Sequence, residues 1–187
     1  MRTDLTLVIT GPIGSGKSYV AQWFVSVGWA YIDADAVGHE VLKQDEVVAE
    51  VVRLWPQSLE GGVIHRSRLA DIVFSDPDAL IHLEAMTHPR IRTSVDKWLG
   101  NTSGPRIVEV SVLKAIDPSW GMKLLVDAPL PIRLERLIAR GLSRDAALRR
   151  ICSQPPRPKW LDAADIVIDN RGQSDLVLDP LLDALTK

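Results

Sequence analysis

Apolar positions along this chain switch between short unbroken runs and helical spacing, and the switches mark its elements. Residues 5–9 form a compact apolar run that stops at a glycine-rich turn. Val20, Ala21, Phe24 and Val27 then share one helical face, closed by Gly28. Residues 28–32 predict a second short strand. From 36 to 100 the spacing is mostly helical, with Val37, Val41, Val47, Val48, Val51, Val52 and Leu54 in phase. Pro56 breaks that stretch and Gly61–Gly62 marks a turn. Residues 64–74 predict an amphipathic helix, Ser75, Asp76 and Pro77 start another, and Thr87, His88 and Pro89 open a further one. Residues 106–110 and 123–127 predict strands three and four, and a helix follows from Pro129 with Arg133, Arg136 and Arg140 along one side. Ser143 caps a short helix over 144–151, while Pro155, Pro156 and Pro158 exclude a regular helix over 152–158. Residues 164–169 predict strand five, and 175–185 a final amphipathic helix started or interrupted by Pro180. Strands alternating with helices predict an α/β fold: a parallel five-stranded sheet between helical layers.

At 187 residues this fits one α/β domain with insertions, 36–100 being helical and 139–160 being a lid. Lys and Arg total 22 against 24 Asp and Glu, so a net charge of −2 gives no reason to expect nucleic acid. The single cysteine, Cys152, excludes a disulfide framework and a multi-cysteine metal site. The first strand starts too early for a signal peptide, and no apolar run spans a membrane. A cytoplasmic protein, monomeric or weakly homo-oligomeric, is expected. The six tryptophans fit a core or an interface equally well.

Chemistry concentrates in the first turn, which reads Gly11-x-x-x-x-Gly16-Lys17-Ser18. With a strand before it and a helix after it, this is the phosphate-binding P-loop spacing. Gly11, Gly14 and Gly16 let the backbone wrap phosphates, and the amides of residues 14–18 point inward at a helix N-terminus. Lys17 supplies a mobile charge for the outer phosphates, and Ser18 offers a hydroxyl to Mg²⁺. An NTP site follows, with Gly11, Pro12, Ile13, Gly14, Ser15, Gly16, Lys17, Ser18 and Tyr19 around the nucleotide.

Asp33 ends strand two, where ligands of open α/β sheets gather. It would accept a proton from an attacking hydroxyl or help hold Mg²⁺; equally, Asp33 or Asp35 would cap the next helix. Glu109 in strand three is a candidate magnesium carboxylate or a structural acid. Arg66 and Arg68 are available to an anionic second substrate, or belong to a solvated face. Arg140, Arg144, Arg149, Arg150 and Arg157 suit a mobile lid that neutralises a transferring phosphate; the alternative is an exposed arginine-rich helix. Asn170 turns the chain near the nucleotide base. An Asn-Lys-x-Asp guanine motif is absent, which weakens a regulatory GTPase.

These segments, in this order, resemble the dephospho-CoA kinase family nearly end to end. Residues 10–18 look like its P-loop, and Ile32-Asp33-Ala34-Asp35 looks like its Asp-Ala-Asp segment. Arg66, Leu69, Val73, Phe74, His88 and Pro89 follow its central pattern; 137–144 with Ile151, Gln154 and Arg157 follow its lid; 164–170 follow its last strand. The resemblance implies a P-loop kinase core with strand order 2-3-1-4-5, a helical substrate-binding insertion and a lid. It implies ATP- and Mg²⁺-dependent phosphorylation of the ribose 3′-hydroxyl of dephospho-CoA. By position, Asp33, Lys17 and Arg140 would be catalytic, and Ser18 would hold the metal. Arg144, Arg157 and Asn170 would join the nucleotide side, and Asp33, His39, Arg66 and His88 the substrate side.

The chain departs from the family at Tyr19, where threonine is usual, at His39, often arginine, and at Arg171, often asparagine. The largest departure is Ser111-Val112-Leu113-Lys114-Ala115, which lacks the family's proline and acid beside the substrate cleft. A kinase for another small hydroxylated metabolite, and a degenerate nucleotide-binding regulatory module, are the alternatives.

Overall fold

The structure, a computed structural model, describes residues 5–171 and 178–186. The expected features at residues 1–4 and the expected start of the last helix at 175 lie outside the described residues.

Five buried residues in a row, Leu7, Val8 and Ile9 between Thr6 and Thr10, put β1 (Thr6–Thr10) where both faces are covered. An apolar run without alternation is what a central parallel strand requires. After α1 (Lys17–Ser26) come β2 (Ala30–Asp33), α2 (Ala34–Val41) and α3 (Asp45–Leu54). The hairpin strands β3 (Leu59–Glu60) and β4 (Val63–Ile64) lead to α4 (Arg66–Ser75) and α5 (Pro77–Asn101). Then follow β5 (Arg106–Val110), β6 (Met122–Asp127), α6 (Leu130–Ala139), α7 (Arg144–Cys152), α8 (Arg157–Asp162), β7 (Ile166–Asp169) and α9 (Asp179–Thr186).

The main sheet is parallel and runs β2-β5-β1-β6-β7. With the two hairpin strands set aside, this is the expected order 2-3-1-4-5. β1 registers Thr6 against Arg106 and Leu7 against Met122. β7 is an edge strand with alternating exposure, shorter than the expected 164–169 because Asp165 instead exchanges bonds with Lys123: its amide donates to the Lys123 carbonyl at 2.9 Å and its carboxylate accepts the Lys123 amide at 2.7 Å.

The chain divides into two compact units, residues 1–33 with 99–187, and residues 34–98. In the first, α1 buries Val20, Ala21 and Phe24 against Leu7, Ile9, Ile107, Leu124 and Val126. Phe24 meets Trp23 edge-on at 5.0 Å and Trp29 at 4.9 Å, aromatic contacts each worth about 0.5–1.5 kcal/mol beyond burial. The amides of Gly28 and Trp29 donate back to Val25 and Phe24, closing α1 with a Schellman pair. That closure shortens strand two, which begins at Ala30 rather than 28. Trp29, Trp55, Trp120 and Trp160 are all buried, so most tryptophans are core.

Residues 34–98 are less uniformly helical than the spacing predicts. Gly61–Gly62 is the turn of the antiparallel β3–β4 hairpin. The expected break before Pro89 is also absent: α5 is one helix of 25 residues with Pro89 inside it. Proline removes one helical donor, and side chains bond carbonyls on both sides of the lesion. Thr87 Oγ1 donates to the Leu83 carbonyl, Arg90 to Met86 and Thr93 to Pro89, at 2.8–3.0 Å. Phe74, near the end of α4, is 74% exposed.

In the first unit, Leu134, Leu137, Ala147 and Ile151 pack α6 against α7. Ser143 caps α7 as expected, accepting the Ala146 amide at 3.2 Å. The expectation that 152–158 is irregular holds only over 153–156, since Cys152 ends α7 and α8 starts at Arg157. Pro158 lies in the first turn of α8, where a missing amide proton costs nothing.

Candidate functional site

β1 delivers the chain to a turn whose walls admit only glycine at two places. A Cβ on Gly11 would stand 2.2 Å from the Val126 carbonyl oxygen. Gly16 has φ +98°, and its Cβ would stand 2.3 Å from the Asn170 amide nitrogen. The turn is thus pressed between the end of β6 and the residue after β7. α1 begins directly at Lys17, so the helix N-terminus opens on the turn. Lys17 is 9% exposed and its ammonium donates to the Gly11 carbonyl at 2.9 Å, which folds it back over the loop. Ser15 is fully buried and its hydroxyl has no hydrogen-bond partner. A buried hydroxyl left unbonded costs about 1–3 kcal/mol.

The back of the turn is held by residues whose role was not legible in the sequence. Arg133 and Arg136 read there as one polar side of a helix. Arg136 donates to the carbonyls of Gly14 at 3.2 Å and Ser15 at 2.9 Å, and to the Asn170 backbone and side-chain oxygens at 3.2 and 3.0 Å. Arg133 donates to the Ile13 carbonyl at 2.8 Å. Gln154 accepts the Ile13 amide at 2.7 Å. Asn170, expected near a base, is buried and donates to the Ser15 carbonyl at 2.8 Å. Burial lowers the pKa of both arginines; Asp127 opposes this for Arg133, while Arg140 adds to it and Glu135 opposes it for Arg136. Both keep their charge, since a guanidinium does not deprotonate in a protein. Their positive ends occupy the carbonyls of Ile13, Gly14 and Ser15. No local pattern announces this, because the partners are 121 and 122 residues apart in sequence.

On the other side stand the acids. Asp33 and Glu109 are register partners across β2 and β5. Glu109 is buried and accepts the Ser18 hydroxyl on one oxygen and the Tyr31 phenol on the other, each at 2.8 Å. Asp33 is the last residue of β2 and directly precedes α2, so its position serves a site and a helix start alike. Among the described residues no group of three or more His, Cys, Asp and Glu could enclose a metal. The donor set fits Mg²⁺, which takes one or two protein oxygens and completes its shell with water and substrate phosphates.

The remaining expected residues separate. Arg140 caps the end of α6, Arg144 starts α7, and both are exposed, as are Arg149 and Arg150. Arg157 is committed to Asp127 at 2.8 Å. Tyr19 is 60% exposed on α1. In the 34–98 unit, the His39 imidazole Nε2 meets the Arg66 guanidinium, and His88 lies within α5. Arg68 is paired with Glu60 at 3.0 Å. The divergent 111–115 stretch holds a short turn, Leu113–Ala115, with Lys114 exposed. No helix among the described residues is long and apolar enough to cross a membrane.

Residues 5–175 match the sequence profile of the dephospho-CoA kinases. The dephospho-CoA kinase of Deinococcus radiodurans is 36% identical over 95% of this chain and 89% of its own. A crystal structure of a Thermus thermophilus protein covers both chains completely at 35% identity with a TM-score of 0.86. The dephospho-CoA kinase of Campylobacter jejuni, 26% identical, covers 97% of this chain and 95% of its own with a TM-score of 0.68. With the phosphate-binding turn, the sheet order and this match in agreement, the chain belongs to the dephospho-CoA kinase family.

Proposed function

We propose that the protein transfers the γ-phosphoryl group of ATP to the ribose 3′-hydroxyl of dephospho-CoA, giving ADP and coenzyme A. The observation that carries this reading is a complete phosphate-binding turn at the start of α1, in a chain matched by the family over residues 5–175. Gly11, Pro12, Ile13, Gly14, Ser15 and Gly16 wrap the phosphates, and Lys17 leaves the Gly11 carbonyl to reach the outer ones. Asp33 takes the proton of the attacking hydroxyl as the new O–P bond forms and the bond to the leaving ADP oxygen breaks. Ser18 is the protein's own ligand for Mg²⁺, with Glu109 behind it. Bound with the nucleotide, Mg²⁺ neutralises charge on the phosphate oxygens.

Arg140 and Arg144 belong to a lid, residues 139–160, which neutralises charge on the transferring group and excludes water. Arg157 and Asn170 complete the nucleotide side, and Tyr19 flanks it. His39, Arg66 and His88 serve the acceptor, with His39 and Arg66 acting as a bonded pair. Residues 36–100 serve as the substrate-binding insertion of a single kinase domain. The setting is cytoplasmic, with small-molecule substrates, no nucleic acid and a monomer or weak homo-oligomer.

The altered 111–115 segment favours one competing reading, a kinase for another small hydroxylated acceptor. ADP release should be measured with dephospho-CoA and, separately, with shikimate, gluconate and free adenosine. The expected result is release with dephospho-CoA far above every other acceptor. Preference for another acceptor would replace the proposed substrate. Tight nucleotide binding with no release for any acceptor would point to a regulatory module instead.

A further inference from the structure

Ser18 has one hydroxyl proton, and the structure shows where it goes. It is donated to Glu109 Oε1 at 2.8 Å. A hydroxyl carries one donor and two lone pairs, so Ser18 is left as a pure acceptor toward anything else in the turn. Ser18 itself is exposed while Glu109 is 5% exposed. The acid is therefore placed behind the hydroxyl, out of water, and aims its lone pairs outward.

A buried carboxylate is costly unless its oxygens are bonded. Glu109 Oε2 is satisfied by the Tyr31 phenol at 2.8 Å. Tyr31 sits on β2, two residues before Asp33, and Ile107, its register partner on β5, precedes Glu109 by two. The ring also packs against the first unit's core. It is a rigid handle: its phenol fixes the carboxylate plane, and the carboxylate plane fixes the hydroxyl.

We propose that Tyr31 is a positioning residue for the cation-binding hydroxyl, acting through Glu109 on Ser18. The inference rests on the Mg²⁺-nucleotide reading above. It assigns to Tyr31 the part of nucleotide affinity that depends on the cation and leaves the phosphate contacts of the turn to the other residues.

ADP binding is measured by calorimetry with MgCl₂ and again with EDTA, and the ratio of the two affinities is the magnesium gain. Tyr31→Phe keeps the ring and its packing and removes one oxygen. It should reduce the magnesium gain about 2- to 10-fold, the worth of one hydrogen bond. Affinity in EDTA should stay at the wild-type value. In a Ser18→Ala background the same change should have no further effect, because the hydroxyl it positions is gone. An unchanged gain in Tyr31→Phe would overturn the proposal, as would an equal loss in the Ser18→Ala background. A merely structural role would lower both affinities together and leave their ratio intact, which also overturns it. Wild-type protein that binds ADP with no magnesium gain would instead overturn the underlying reading.

Discussion

Lys17 and Arg136 carry the same charge on opposite sides of one turn, and their chemistry differs. Lys17 is a point charge on a four-carbon stem, and its ammonium donates to the Gly11 carbonyl. Arg136 is a planar fork that bonds four oxygens of Gly14, Ser15 and Asn170 at once. An ammonium cannot reproduce that fork. Arg136→Lys should therefore lose about 2 kcal/mol of stability in denaturant titration, on the scale of charge-assisted hydrogen bonds in a part-buried site. Nucleotide affinity should fall with it, since the loop carbonyls would turn inward. A variant as stable as wild type would show that the turn holds its shape without the clamp. The sequence made Lys17 legible because its motif is local. Arg136 was illegible because its function depends on partners more than a hundred residues away.

Among the elements, those built by neighbouring residues were read well and those rescued by distant or unusual bonding were not. β1 and β5 were plain from their apolar runs, and Ser143 announced α7. In the sequence Pro89 marks a helix start, because proline in a helix interior ordinarily breaks or kinks it. α5 runs through it, with side chains of Thr87, Arg90 and Thr93 bonding nearby carbonyls. Pro158 misled in the opposite sense, since it opens α8. An interior proline is a standing cost. Pro89→Ala should restore the helical donor and raise stability by about 2 kcal/mol, after the entropy that proline removes from the unfolded chain is set against the gain. The check is the denaturant midpoint of the intact protein. A lower midpoint would mean that the helix is built around the proline rather than in spite of it.

At the scale of the whole molecule, the parallel sheet brings three chain segments remote in sequence together around the phosphate turn. β6 ends against Gly11, β5 supplies Glu109, and Asn170 follows β7. The family resemblance correctly indicated the strand order and the family, because its segments span most of the chain. It did not indicate that Glu109 would be shared between Ser18 and Tyr31, which depends on side-chain placement across β2 and β5. The reading of the molecule as a kinase of dephospho-CoA, with Asp33 as its base, is tested most directly in one reaction. Purified protein is incubated with Mg-ATP and dephospho-CoA, alone and as Asp33→Asn, and coenzyme A is sought by mass spectrometry. Wild type should form coenzyme A, and Asp33→Asn should keep nucleotide binding while turnover falls on the order of 10² to 10⁴, the usual worth of a general base. A folded, nucleotide-binding wild type that makes no coenzyme A would contradict the substrate. Equal product from Asp33→Asn would contradict the base.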